Sequence, residues 1–70
     1  AVHVKDIAPA GEAADEDGWA DVGHGTMDWQ GLATAIRQQT NTRYWVMEHD
    51  NPSDVDRFAS RSLAAVNAWK

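Results

Sequence analysis

Residues 44–50 read YWVMEHD and give the clearest β-strand signal in the chain. The first four are aromatic or aliphatic with no polar residue between them, which is typical of a short strand that is covered on both faces, as in a parallel sheet. Three polar residues follow directly, Glu48, His49 and Asp50. We therefore predict a strand over residues 44–48 with polar side chains at its carboxyl end.

A long helix is predicted directly after this strand. Asn51 suits a helix N-cap, and Pro52 suits the first helical position, where its missing N–H costs nothing. From residue 55 onward, apolar residues recur every three or four positions and form one stripe. These signals predict a helix over residues 52–69.

The first half of the chain contains a strand, a long loop and a second helix. The alternation in VHVK near the start predicts a strand over residues 2–7. Residues 8–27 contain Pro9, four glycines and five acidic residues without periodicity, so they predict a loop whose length suggests a function or a lid. Asp28 suits an N-cap before apolar residues at helical spacing, which predicts a helix over residues 28–39.

The order strand, loop, helix, strand, helix predicts an α/β protein with a parallel strand pair and a right-handed crossover. One such βαβα unit cannot cover both faces of its own sheet and needs neighbouring elements. The chain has 70 residues and begins without a methionine, so we expect residues 1–70 to be a single partial domain and a fragment of a longer protein.

Composition excludes several classes of protein. The absence of cysteine excludes a disulfide framework and favours a reducing compartment, the cytoplasm. Eleven acidic residues against six basic ones argue against a binder of nucleic-acid phosphates. The apolar runs are too short for a transmembrane span or a signal peptide, so no membrane partner is expected.

Polar side chains at the carboxyl ends of the two strands are candidates for a metal site. In parallel α/β folds these ends meet in one place, which brings His3 and Glu48 together. An imidazole nitrogen and a carboxylate oxygen are ordinary ligands of Mn²⁺, Mg²⁺, Co²⁺ or Zn²⁺. The alternative is that His3 is a hydrogen-bonded strand histidine and that Glu48 caps a neighbouring backbone.

Three motifs together resemble a known family. The chain contains HVKD at residues 3–6, GHGTMDW at residues 23–29 and EHD at residues 48–50. Their order and spacing are similar to the C-terminal part of the xylose-isomerase-like TIM barrels, which include sugar and sugar-phosphate isomerases, ketose 3-epimerases and inosose dehydratases. The resemblance covers almost all 70 residues and implies the C-terminal βαβα portion of a (β/α)8 TIM barrel, with parallel strands and outer helices.

The resemblance also implies a chemistry. His3 and Glu48 would be ligands of one divalent metal ion, and the remaining ligands would lie outside this chain. Glu48 would also move a proton next to the substrate carbonyl, while the metal stabilises the enediolate. The parent protein would be a sugar or sugar-phosphate isomerase or epimerase, and the isolated chain would be inactive.

Five further residues are candidates near this site. Lys5, His24 and Trp19 are expected to contact the substrate, and Asp6 and Asp50 to orient the groups that do. The alternatives are that Lys5 pairs with an acid, that His24 is a solvated loop residue and that Trp19 pins the loop to the barrel rim. For Asp6 the alternative is a structural hydrogen bond, and for Asp50 a cap on the last helix.

The expected partners are a small sugar or polyol substrate and the rest of the barrel or another protein chain. A second hypothesis is that the chain is a non-catalytic assembly unit, which associates with itself or with a partner through its uncovered sheet edges and apolar helix faces. A third is a carbohydrate-binding relative of the same barrel that has lost its catalytic activity.

Overall fold

The computed structural model describes residues 1–69; Lys70, the last residue of the predicted domain, lies outside them. The strands are β1 (Val2–Val4), β2 (Asp6–Ile7), β3 (Trp19–Ala20) and β4 (Trp45–Met47). The helices are α1 (Trp29–Gln39) and α2 (Val55–Trp69), and a short 3-10 turn spans Ala14–Glu16. The structure confirms helices near residues 28–39 and 52–69 and a strand within residues 44–48.

The first strand pairs with the strand near residue 45. β1 and β4 run parallel, with His3 opposite Val46 in the register. Hydrogen bonds extend the ladder at both ends, from the Val2 N–H to the Tyr44 carbonyl and from the Glu48 N–H to the Val4 carbonyl, at 2.9 and 2.8 Å. Because α1 lies between these strands along the chain, the pair is a βαβ unit. The predicted α/β class is confirmed, and the complete barrel stays a prediction.

The predicted strand over residues 2–7 is interrupted at Lys5. β1 pairs with β4, whereas β2 turns away and forms an antiparallel pair with β3. At the break, the buried Asp6 carboxylate accepts the N–H of Ile7 at 2.9 Å. The predicted loop over residues 8–27 is therefore not wholly irregular, because it contains β3 and the 3-10 turn.

Each helix begins directly after an aspartate whose side chain accepts an N–H of the first turn. The side chain of Asp28 accepts the Gly31 N–H at 3.2 Å, so the predicted cap of α1 is confirmed. In α2 the corresponding bond comes from Asp54, whose side chain accepts the Arg57 N–H at 3.0 Å. The predictions that Asn51 caps this helix and that Pro52 is its first residue were wrong, because α2 begins only at Val55 and the Asn51 side chain donates to the Asp15 carbonyl instead.

Both helices cover the same face of the β1–β4 sheet. Alternate residues of a strand point to opposite faces, and the covered face carries residues 2 and 4 of β1 and 45 and 47 of β4. The buried centre of the core consists of Val4, Val22, Trp29 and Val66. On the other face His3 and Val46 are exposed, the latter to 41%. The sheet therefore has one covered and one open face.

A glycine permits close contact between the loop and α2. Gly23 has a φ of +85°, and a Cβ atom added there would lie 2.6 Å from the Cβ of Ala65. Only a residue without a side chain fits this combination of left-handed backbone and tight packing. Among residues 1–69, neither helix is long and apolar enough to cross a membrane.

Candidate functional site

His3 and Glu48 meet on the open face of the sheet. His3 lies opposite Val46 in the parallel register, so Glu48, two residues further along, is on the same face at the carboxyl end. The Nδ1 atom of His3 contacts Oε1 of Glu48. The structure thus brings together the two residues that the sequence predicted as metal ligands.

Lys5 lies beside this pair, between an acid and an aromatic ring. Its Nζ donates to Oδ2 of Asp50 at 2.8 Å and is 3.9 Å from Oε2 of Glu48. The same Nζ lies 4.1 Å from the centre of the Trp19 ring, which is within cation–π range. His3, Lys5, Trp19, Glu48 and Asp50 therefore form one polar cluster, which we call the strand-end cluster.

Lys5 and Asp50 contact each other within the strand-end cluster. Lys5 pairs with an acid, as the structural alternative expected, and this pairing also places its ammonium group next to Glu48. Asp50 contacts Lys5, while the cap of α2 comes from Asp54. Asp50 consequently orients Lys5 and does not cap the last helix.

Asp6 is buried away from the cluster and organises the loop instead. Asp6 is only 2% exposed. Its Oδ1 accepts the N–H groups of Ile7 and Met27 at 2.9 and 3.0 Å. Its Oδ2 accepts the Gly23 N–H at 3.0 Å. A Cβ atom at Gly25 would collide with this carboxylate. Asp6 thus has the structural role that was its alternative, and its hydrogen bonds do not reach His3 or Lys5.

His24 lies outside the strand-end cluster, although it shares a groove with Trp19. It is exposed and lines a groove of about 210 Å³ together with Trp19, Arg57 and Arg61. In the described part of the chain, no hydrogen bond or ion pair joins His24 to His3 or Glu48. The position of His24 therefore agrees with the solvated loop histidine that was its alternative.

Sequence reasoning missed an ion network between the acidic loop and α2. Arg57 donates from Nε and Nη2 to the two carboxylate oxygens of Asp21, at 3.0 and 3.2 Å, and from Nη2 to Oε1 of Glu16 at 2.6 Å. Arg61 also reaches Asp21, at 3.1 Å. The bonds to Asp21 and Glu16 raise the pKa of Arg57, and the bond from Arg57 lowers the pKa of Glu16. The signal in the sequence was the pair of arginines four residues apart on one helix face, opposite a run of acids.

His49 points away from the strand-end cluster and into the protein. Its side chain is fully buried, and its ring meets the Phe58 ring edge-on at a centroid distance of 5.5 Å. Nδ1 accepts the Asn51 N–H at 3.0 Å, which leaves the ring proton on Nε2. Nε2 lies 3.2 Å from Oε1 of Glu16, but within residues 1–69 it has no hydrogen-bond partner.

The strand-end cluster contains two side chains of a type that binds divalent metal ions. The imidazole of His3 and the carboxylate of Glu48 face one another in the open, and both are ligands that a divalent cation of the Mn²⁺ or Zn²⁺ type accepts. Within residues 1–69, no group of three or more histidine and acidic side chains is placed to hold a metal ion. His3 and Glu48 fit such an ion in chemical type, but two side chains alone do not complete a site among these residues.

A scan against protein-family models and searches of curated proteins and of solved structures gave no match to this chain.

Proposed function

We propose that this chain is the C-terminal βαβα part of a divalent-metal-dependent isomerase or epimerase that acts on a sugar or sugar phosphate. The observation that carries the proposal is the contact between His3 and Glu48 at the carboxyl ends of two parallel strands. In parallel α/β folds this edge of the sheet is where catalytic residues are found. The order of the three motifs supports the same family.

The one-sided packing of the sheet supports a position in a barrel wall. Both helices lie against one face, while His3, Val46 and Glu48 are on the other. In a TIM barrel the helices form the outer ring, and the opposite face of each strand points into the barrel. The strand-end cluster would then lie at the mouth of the barrel, where strands from the rest of the parent protein would supply the missing ligands.

Each residue of the cluster has a role in this proposal. A bound metal would supply Lewis-acid polarisation of a substrate carbonyl and its neighbouring hydroxyl. Glu48 would hold such an ion, and its carboxylate could take up or return a proton on the adjacent carbon. Lys5, held 3.9 Å from Oε2 of Glu48 by Asp50, offers a cationic donor to a substrate oxygen. Trp19 offers a ring for an apolar sugar face.

A second candidate function, a non-catalytic assembly unit, is favoured by the exposure of apolar side chains. Val46 is exposed on the open sheet face, and Tyr44 and Leu63 are also exposed. Apolar surface of this kind is typical of chains that associate. Metal binding separates the two candidates, because an assembly unit does not require an ion at His3 and Glu48.

The test is Mn²⁺ binding and ketose–aldose turnover by the protein that carries this chain together with its remaining barrel strands. His3→Ala and Glu48→Gln should each weaken Mn²⁺ binding by at least about 100-fold, because each removes a direct ligand. His24→Ala is the matched control, since it removes an exposed imidazole outside the cluster. Unchanged Mn²⁺ affinity in both cluster variants would refute the proposal.

A further inference from the structure

The loop forms hydrogen bonds with the segment that follows β4. The 3-10 turn, which ends at Glu16, contacts alternate residues of this segment. The carbonyl of Asp15 accepts a side-chain N–H of Asn51 at 3.3 Å, and Oε1 of Glu16 accepts the Ser53 N–H at 3.2 Å. The same carboxylate oxygen lies 3.2 Å from Nε2 of the buried His49. These contacts define the position of residues 49–53 relative to the loop.

This segment contains Asp50 and directly follows Glu48, and these are the two acids of the strand-end cluster. His49 is buried between Glu48 and Asp50, whose side chains contact His3 and Lys5 on the opposite side. Because His49 lies between Glu48 and Asp50 along the chain, a shift of the backbone at His49 would displace both carboxylates. The backbone position of His49 therefore affects the strand-end cluster, although the His49 side chain does not face it.

From these contacts we infer that Glu16 is a positioning residue for the carboxylates of Glu48 and Asp50, acting through His49 and the backbone of residues 49–53. Arg57 fixes Glu16 in turn, because its Nη2 donates to Oε1 at 2.6 Å while the rest of its guanidinium is held by Asp21. The effect on metal binding rests on the proposed function, whereas the effect on the segment does not.

The buried ring of His49 has one nitrogen close to an acid of the loop. Its Nδ1 is occupied by the Asn51 N–H, so Nε2 carries the proton and needs an acceptor. In the described part of the chain, Nε2 has no hydrogen-bond partner, and Oε1 of Glu16 lies 3.2 Å from it. The negative charge of Glu16 attracts this N–H without a hydrogen bond, and loss of the Glu16 carboxylate would remove that attraction and leave the ring free to shift.

The test compares Glu16→Ala with Glu12→Ala, which removes an acid from the same loop without touching residues 49–53. Amide hydrogen exchange, measured by NMR, should become about tenfold faster at Ser53 in Glu16→Ala, because its N–H loses the bond to the charged Glu16 carboxylate. Exchange at Asn51 should also become faster, because its N–H is bound to Nδ1 of His49, the ring that Glu16 contacts. Exchange at Val4 and Val66 in the core should become faster only as far as the measured loss of global stability accounts for, so a larger change at Asn51 and Ser53 separates a positioning role from general destabilisation. Glu12→Ala should change none of these rates.

Mn²⁺ affinity gives the second readout. In the protein with its remaining strands, Glu16→Ala should weaken Mn²⁺ binding by about three- to tenfold, and Glu16→Gln, which keeps one acceptor oxygen, should recover part of that loss. If Glu16→Ala does not fold, Glu16→Gln alone should show faster exchange confined to residues 49–53.

Two results would overturn the inference: unchanged exchange at Asn51 and Ser53, or Mn²⁺ affinity that is unchanged in Glu16→Ala while the unaltered protein binds the ion. A protein that does not bind Mn²⁺ at all would refute the proposed function instead. The exchange rates would then still decide whether Glu16 positions the segment.

Discussion

Replacement of Asp6 by asparagine tests how the loop is fastened to the sheet. The Asp6 carboxylate is buried and accepts three backbone N–H groups, those of Ile7 and Met27 on Oδ1 and that of Gly23 on Oδ2. Asparagine has the same shape but carries an NH₂ group in place of one oxygen. If that group takes the place of Oδ2, it faces the Gly23 N–H, so that two donors oppose each other without an acceptor.

The cost follows from the number of bonds. A buried donor left without a partner costs about 1–3 kcal/mol, and the two bonds that remain on Oδ1 lose the extra strength of a charged acceptor. Asp6→Asn should therefore lower the free energy of unfolding by about 3 kcal/mol. A small domain has a total stability of only about 5 kcal/mol or slightly more, so this loss would be a large fraction of it.

Urea unfolding, followed by tryptophan fluorescence, measures this change, because Trp29 is buried beside the loop and donates to the Lys5 carbonyl. Asp17→Asn is the matched control, since Asp17 is exposed and has a φ of 57°, which asparagine tolerates. It should change the stability by less than about 0.5 kcal/mol. A stability of Asp6→Asn within that same margin would refute the role given to the buried carboxylate.

Three further predictions concern the same loop and its attachment to α2. Gly23→Ala should destabilise the protein by more than about 2 kcal/mol and clearly more than Gly18→Ala in thermal melts, because both have positive φ but only Gly23 has a neighbouring carbon 2.6 Å from the added Cβ. Arg57→Lys should cost about 1–2 kcal/mol in urea unfolding, since lysine cannot reach two acids as a fork, whereas Arg37→Lys on exposed α1 should cost almost nothing. The lowered pKa of Glu16 means that its charged form stabilises the folded state, fully above the ordinary glutamate pKa of about 4.3 and less as the pH falls through the folded-state pKa. The stability difference between the unaltered protein and Glu16→Gln should therefore shrink on acidification below about pH 4.3, and a difference that grows would contradict the assignment.

The elements of regular structure could be predicted where their signal is local. The apolar run at residues 44–47 and the helical spacing of Trp29, Ala33 and Ile36 need no distant partner to be recognised. The start of α2 could not be placed, because Asn51 and Asp54 are both good caps by residue type. The contact of residues 49–53 with the 3-10 turn decides between them, and that contact joins residues more than thirty positions apart.

The candidate site could be predicted in part for the same reason. The meeting of His3 and Glu48 follows from strand order, because parallel strands bring their carboxyl ends together. The burial of Asp6 depends on a loop that closes around its carboxylate from residues 23 and 27, which no local pattern reveals. The position of Glu16 behind His49 likewise depends on how the loop folds against α2.

The central claim is that His3 and Glu48 bind one divalent metal ion, and the electron spin echo of bound Mn²⁺ tests it most directly. An imidazole ligand gives a nitrogen modulation in this signal, so the proposed parent barrel should show that modulation. His3→Ala should abolish it, while His24→Ala should leave it intact. A nitrogen modulation that survives in His3→Ala, or Mn²⁺ that binds with no nitrogen ligand in the unaltered protein, would contradict the account.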